Sequence, residues 1–153
     1  MESWGILCTL NSSLYHDVHL EGDDVFTAGR SRHCSYVFEK QDFINVNRLN
    51  IYKNISKNHF QIFKEADDSQ VGFTVYFRNL SFNPNFVNGR IIVYGQQIRL
   101  SYFSVIALCR RWNEAFRFFV QGGTVTDTDD SDSGDSADTV PCDDQNTLST
   151  DVV

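Results

Sequence analysis

Along residues 4–120, apolar side chains recur at a period of two in short runs, and no window carries a 3.6-residue apolar stripe over three turns. In Phe60-Gln61-Ile62-Phe63, the side chains of Phe60 and Ile62 take one face and those of Gln61 and Phe63 the other. Phe73, Val75 and Phe77 likewise share a face. Alternating runs rich in aromatic and β-branched residues read as strands. We read them at residues 4–10, 14–20, 24–28, 35–38, 59–65, 71–78, 91–94, 97–100, 104–109 and 115–120. Many short strands at this spacing predict an all-β sandwich or barrel. Between them, Asn11-Ser12-Ser13 suits a hairpin, and Glu21-Gly22-Asp23 and Asp67-Asp68-Ser69 suit exposed loop tips. Asn88-Gly89 is the strongest turn signal, because both residues tolerate positive φ. Residues 39–55 form the longest connection without periodicity, and such loops are usually functional or mobile.

The pattern stops after Val120. Residues 121–153 hold nine Asp, no Glu and no Lys or Arg, with few apolar side chains. Such a segment buries too little surface to offset its ordering entropy. We therefore expect a folded domain over residues 1–120 and a disordered Asp/Ser/Thr-rich acidic tail over 121–153. The net charge of −7 hides this division: the first 120 residues carry 13 basic and 11 acidic side chains. An acidic tail repels phosphates, so duplex nucleic acid is not an expected partner. The apolar runs are too short to cross a bilayer, and the N-terminus lacks the basic and apolar regions of a signal peptide. Cys8, Cys34, Cys109 and Cys142 form no CxxC pair and no Cys/His metal pattern. No metal or cofactor is expected, and the thiols are expected to be free. Asn11, Asn54 and Asn79 begin Asn-x-Ser sequons that read as chance matches.

Three motifs fall at the ends of expected strands, where the loops of a sandwich cluster. They are Gly29-Arg30, Ser56-Lys57-Asn58-His59, and Asn79-Leu80-Ser81-Phe82-Asn83-Pro84-Asn85-Phe86-Val87-Asn88-Gly89. Gly29 permits a sharp turn that aims Arg30, whose guanidinium fork matches phosphate oxygens. Ser56 offers a hydroxyl and a backbone N–H, and Lys57 a more mobile cation. Asn83 has the donors and acceptor to hold an extended peptide backbone.

In this order, Gly-Arg, Ser-x-x-His and Asn-x-x-x-Val-Asn resemble the forkhead-associated (FHA) family, and within it the domain of DNA-damage checkpoint effector kinases. Trp4-Gly5-Ile6-Leu7, Phe26-Thr27-Ala28-Gly29-Arg30 and Ser56-Lys57-Asn58-His59-Phe60 carry the likeness, which spans roughly residues 4–120. The resemblance implies an eleven-stranded, two-sheet β-sandwich that binds phosphothreonine peptides through loops at one end. It implies that Arg30 grips the phosphate, Ser56 donates its hydroxyl to it, Lys57 adds charge, and Asn83 bonds the peptide main chain. Gly29 would shape the turn, and His59 would tie the loops together beneath the site. One departure stands out. The family writes Asn-Gly-Thr where this chain has Asn83-Pro84-Asn85, and proline fixes φ near about −65° and removes an N–H.

The expected function is therefore a non-enzymatic phosphothreonine reader in signalling such as the DNA-damage checkpoint, as adaptor or competitor of a kinase. Its partner would be a phosphothreonine-containing protein, and by resemblance it would be nuclear. No Gly-rich loop, His-Arg-Asp or Asp-Phe-Gly of a protein kinase occurs in the sequence. Tail threonines at 124, 126, 128, 139, 147 and 150 lie among acidic residues. Phosphorylated, one of them could dock on a neighbouring copy. Two rival classes stand beside this. Exposed aromatics could bind glycan or single-stranded nucleic acid. Ser56 and His59 could form a hydrolase pair, although no Asp orienter and no oxyanion glycine motif accompanies them.

Overall fold

The computed structural model describes residues 3–22, 25–68 and 72–120. The expected disordered tail at 121–153 lies outside the described residues, as does Cys142. Eleven strands and two short helices follow in the order β1 (Ser3–Thr9), β2 (Val18–Glu21), β3 (Phe26–Gly29), β4 (Tyr36–Val37), α1 (Lys40–Asn45), α2 (Leu49–Asn54), β5 (Phe60–Ala66), β6 (Phe73–Asn79), β7 (Asn85–Val87), β8 (Arg90–Ile92), β9 (Gln97–Leu100), β10 (Val105–Leu108) and β11 (Glu114–Val120). They form a six-stranded sheet, β2-β1-β11-β10-β7-β8, and a five-stranded sheet, β4-β3-β5-β6-β9. The expected all-β sandwich is what the chain builds.

The alternation read from the sequence is the inward face of each sheet. On β5 and β6, Ile62 pairs with Phe77 and Lys64 with Val75 in antiparallel register. Phe60, Ile62 and Phe77 are fully buried, and the rings of Phe60 and Phe77 stack with centroids 5.0 Å apart. Leu7, Ile106, Phe116 and Phe118 of the other sheet close the core. Each such side chain contributes roughly 1.5–3 kcal/mol on burial. β11 is buried on its second face as well, because Phe119 packs edge-on beneath Tyr102 and Phe103.

The structure corrects the sequence reading at several places. Residues 39–55 are not an irregular loop but carry α1 and α2, which bury Phe43 and Ile51. Helices of six residues are too short to display a periodic stripe, so the pattern could not reveal them. The run at 14–20 yields a strand only from Val18, since the N–H groups of Leu14 and Tyr15 both bond the Asn11 carbonyl in a turn. Asn85–Val87 forms a strand that was not expected, paired with β8 across the Asn88-Gly89 turn. Both turn residues have positive φ, 53° and 80°. Cys34 and Cys109 are free thiols, as expected. Asn79 is fully buried, which leaves its sequon inaccessible in the fold.

The sandwich has two distinct poles. β1 and β11 run antiparallel, with Gly5 opposite Val120 and Thr9 opposite Phe116. The first and last described residues therefore leave one pole. The end of β3, the start of β5, the end of β6 and the β10–β11 hairpin gather at the other.

Candidate functional site

β3 ends against the backbone that leads into β5. A Cβ on Gly29 would lie 2.0 Å from the Lys57 carbonyl oxygen and 2.7 Å from its carbon, so only glycine permits this approach. The Arg30 N–H donates to the Ser56 carbonyl at 3.1 Å, and the Ser31 N–H to the Lys57 carbonyl at 3.0 Å. Two of the motifs are thereby joined at the main chain.

Arg30 leaves this junction with its Nε donating to the Ile55 carbonyl, and its guanidinium lies 5.6 Å from the centre of the Tyr52 ring. α2 and its exit residue thus hold the base of the fork. Among the described residues its one bond to protein uses Nε, so the outer Nη edge can meet an anion. Ser56 is half-buried and Lys57 is exposed. The Asn83 side-chain amide donates to the Asn54 carbonyl at 2.8 Å, which ties the β6–β7 loop to the end of α2. All of the peptide-contact residues expected from the sequence are thus carried by elements that converge on one pole. Pro84 sits in the loop without a cis bond, and its carbonyl accepts the Cys109 N–H at 3.1 Å.

Beneath these groups runs a continuous chain of hydrogen bonds. The Ser56 N–H donates to His59 Nδ1 at 3.0 Å, which makes Nδ1 an acceptor and leaves the ring proton on Nε2. Nε2 then donates to Asn85 Oδ1 at 2.8 Å, and Asn85 Nδ2 donates to Asn79 Oδ1 at 2.9 Å. Asn79 Oδ1 also accepts the Ser81 N–H at 2.8 Å, and Asn79 Nδ2 donates to the carbonyls of Asn83 and Ile92. Ser81 Oγ lies 2.7 Å from Ser56 Oγ and accepts the Asn83 N–H at 3.0 Å. Asn79, Ser81 and Asn85 were given no role in the site by the sequence reading. All three lie inside the third motif, where a binding role was read only for Asn83, and Asn79 was otherwise noted as a sequon.

His59 is fully buried, and both of its ring nitrogens are engaged within this network. Neither faces Ser56 Oγ as a base, so the geometry does not support the nucleophile–base pairing. Burial, reinforced by the nearby Arg30 charge and opposed by the Asn85 bond, lowers the His59 pKa from 6.5 to about 4. The folded protein therefore holds His59 neutral where the unfolded chain would protonate it. Its contribution to stability is complete above pH 6.5 and is lost as pH falls towards about 4. The expected slope in that window is at most about 1.4 kcal/mol per pH unit for one proton. Urea unfolding of wild type and His59→Gln at pH 7, 5.5 and 4.5 measures it. Parallel pH profiles for the two proteins would contradict it.

Comparison with known proteins adds an independent observation. The family model described as FHA domain matches residues 26–109. Solved structures align at low identity. The MEK1 FHA domain, in complex with a HOP1 phosphothreonine peptide, is 16% identical, covers 79% of this chain and 100% of its own, and gives a TM-score of 0.58. The N-terminal FHA domain of S. cerevisiae Rad53p, also with a phosphothreonine peptide, is 16% identical over 77% of this chain and 94% of its own, with a TM-score of 0.57. The yeast Dun1 FHA domain, with a doubly phosphorylated peptide from Rad53, is 20% identical over 90% of this chain and 89% of its own, with a TM-score of 0.58. At these identities the likeness to solved structures speaks for the fold.

Proposed function

The chain belongs to the FHA-domain family, and on that premise we propose that it is a non-enzymatic module that binds phosphothreonine peptides at the pole holding Arg30 and Ser56. One observation carries the reading. The main-chain bond from Arg30 N–H to the Ser56 carbonyl brings a guanidinium and a hydroxyl out of the same backbone junction. Arg30 would take two phosphate oxygens with its Nη edge, Ser56 would donate its hydroxyl, and Lys57 would add a mobile charge. Asn83 would hold the peptide main chain. Its Nδ2 already bonds Asn54, which leaves one amide hydrogen and the Oδ1 acceptor for that purpose. Gly29 and His59 would support the site from beneath. The phosphopeptides bound by the MEK1, Rad53p and Dun1 domains support the choice of ligand.

The test uses one peptide library in three states, carrying threonine, phosphoserine or phosphothreonine at the same position. Charge-assisted bonds are worth roughly 1.5–3 kcal/mol each, so the unmodified peptides should bind at least about 100-fold more weakly than the phosphothreonine forms. Equal affinity for modified and unmodified peptides would end the proposal and favour a ligand held by exposed aromatics such as Phe82.

The finer proposal is a nuclear role in checkpoint signalling, as an adaptor or as a competitor for sites that a checkpoint kinase would use. Overexpression with a readout of kinase activation separates the two. A phosphorylated tail threonine could also occupy the site of a second copy. A monomeric mass in both phosphorylation states at high concentration would remove that idea.

A further inference from the structure

The two hydroxyls at this pole differ in their freedom to point a proton. Ser81 is 1% exposed, while Ser56 is half-buried. Ser81 Oγ has two polar neighbours among the described residues, the Asn83 N–H at 3.0 Å and Ser56 Oγ at 2.7 Å. The first is a donor, so Ser81 Oγ accepts there. If Ser56 donated to Ser81 as well, the Ser81 proton would be buried with nothing to receive it. That arrangement is unfavourable, because a buried donor without a partner loses its bond to water and gains none. The alternative satisfies every group. Ser81 donates to Ser56 Oγ, and the proton of Ser56 turns outward.

We infer that Ser81 is a positioning residue that orients the Ser56 hydroxyl as an outward donor towards the phosphate of a bound peptide. The inference rests on the phosphopeptide reading above and deepens it. The network that holds Ser81 closes on itself. It runs from the Ser56 N–H through His59, Asn85 and Asn79 to the Ser81 N–H, and from the Ser81 hydroxyl back to Ser56. The donors of the other four bonds in that ring are fixed, and the Asn83 N–H that Ser81 Oγ accepts then sets the direction of the last proton. Ser56 thus meets a ligand with its donor already aimed, which removes an ordering cost from binding.

A double-mutant cycle tests this. Ser81→Ala should weaken binding of a phosphothreonine peptide about tenfold, by freeing the Ser56 proton to turn inward or rotate. In a Ser56→Ala background the same change should cost less than about twofold, since there is no hydroxyl left to orient. A purely structural Ser81, acting by holding the Asn83 loop, would cost the same in both backgrounds, and that additive result overturns the inference. Hydroxyl-proton NMR of the free wild-type protein reads the arrangement with no ligand. A slowly exchanging Ser81 hydroxyl proton and a rapidly exchanging Ser56 proton are expected, and the reverse order overturns the inference. Should wild type bind no phosphopeptide, the functional reading fails by itself while the NMR result still decides the proton arrangement.

Discussion

Replacing Arg30 by alanine lowers affinity for a phosphothreonine peptide by about 100- to 20,000-fold and leaves the fold intact. Two charge-assisted bonds from the Nη edge, at roughly 1.5–3 kcal/mol each, set that scale, because each 1.4 kcal/mol is about tenfold. The structural loss is smaller. Arg30 is half-buried and gives up one bond to the Ile55 carbonyl and its contact with Tyr52. That bond also has a charged donor and is worth roughly 1.5–3 kcal/mol. Arg30→Lys keeps the charge without the planar fork, so it should recover only part of the affinity. Calorimetric titration beside a thermal melt checks both halves of the expectation. Wild-type affinity in Arg30→Ala would move the phosphate site elsewhere.

The second large effect is on stability. Gly29→Ala should cost on the order of 4 kcal/mol, at the diagnostic end of the range for single substitutions. The obstruction is main chain, because the new methyl would meet the Lys57 carbonyl oxygen at 2.0 Å. That carbonyl accepts the Ser31 N–H, so it cannot retreat without breaking the junction that also positions Ser56. Gly5 offers the contrast. A Cβ there would meet side-chain atoms of Phe118 and Leu20 at 3.1 Å and 3.2 Å and the Phe119 carbonyl oxygen at 3.3 Å, contacts that ease with shifts of a few tenths of an ångström. Gly5→Ala should therefore be much milder. Urea midpoints for the two variants give the comparison, and a Gly29→Ala protein within about 1 kcal/mol of wild type would refute the close-approach argument.

What the sequence revealed, and what it withheld, follows from the range of the forces involved. The alternation at Phe60, Ile62, Val75 and Phe77 is local and periodic, so the sandwich could be read directly. Asn88-Gly89 was legible for a similar reason, since its backbone demand lies within two residues. Gly29-Arg30 and Ser56-Lys57-Asn58-His59 were legible as motifs. Their main-chain junction was not, because it joins residues more than twenty positions apart. α1 and α2 escaped notice because six residues show less than two turns of any pattern. Asn79, Ser81 and Asn85 escaped because buried polar residues look like loop residues until their partners are known. The Asn85 signal was present in part, since it stands where the resemblance predicts threonine. Its amide bonds both His59 and Asn79.

The opposed poles set a limit on leash length. Gly5 and Val120 sit together, and β11 carries the chain away from the peptide-facing pole over seven residues. At about 3.4 Å per residue that is roughly 23 Å to retrace. An extended chain gains at most about 3.6 Å per residue, so the Cα of Thr124, four positions beyond Val120, reaches only about 14 Å, and its side chain does not make up the difference. On the proposed reading, a phosphate there would be tethered too tightly for the site of its own molecule, and only a second copy could take it. Threonines near the far end of the chain escape that limit. If the tail is phosphorylated as proposed, distance along the polypeptide would sort its threonines into those confined to intermolecular capture and those free to choose.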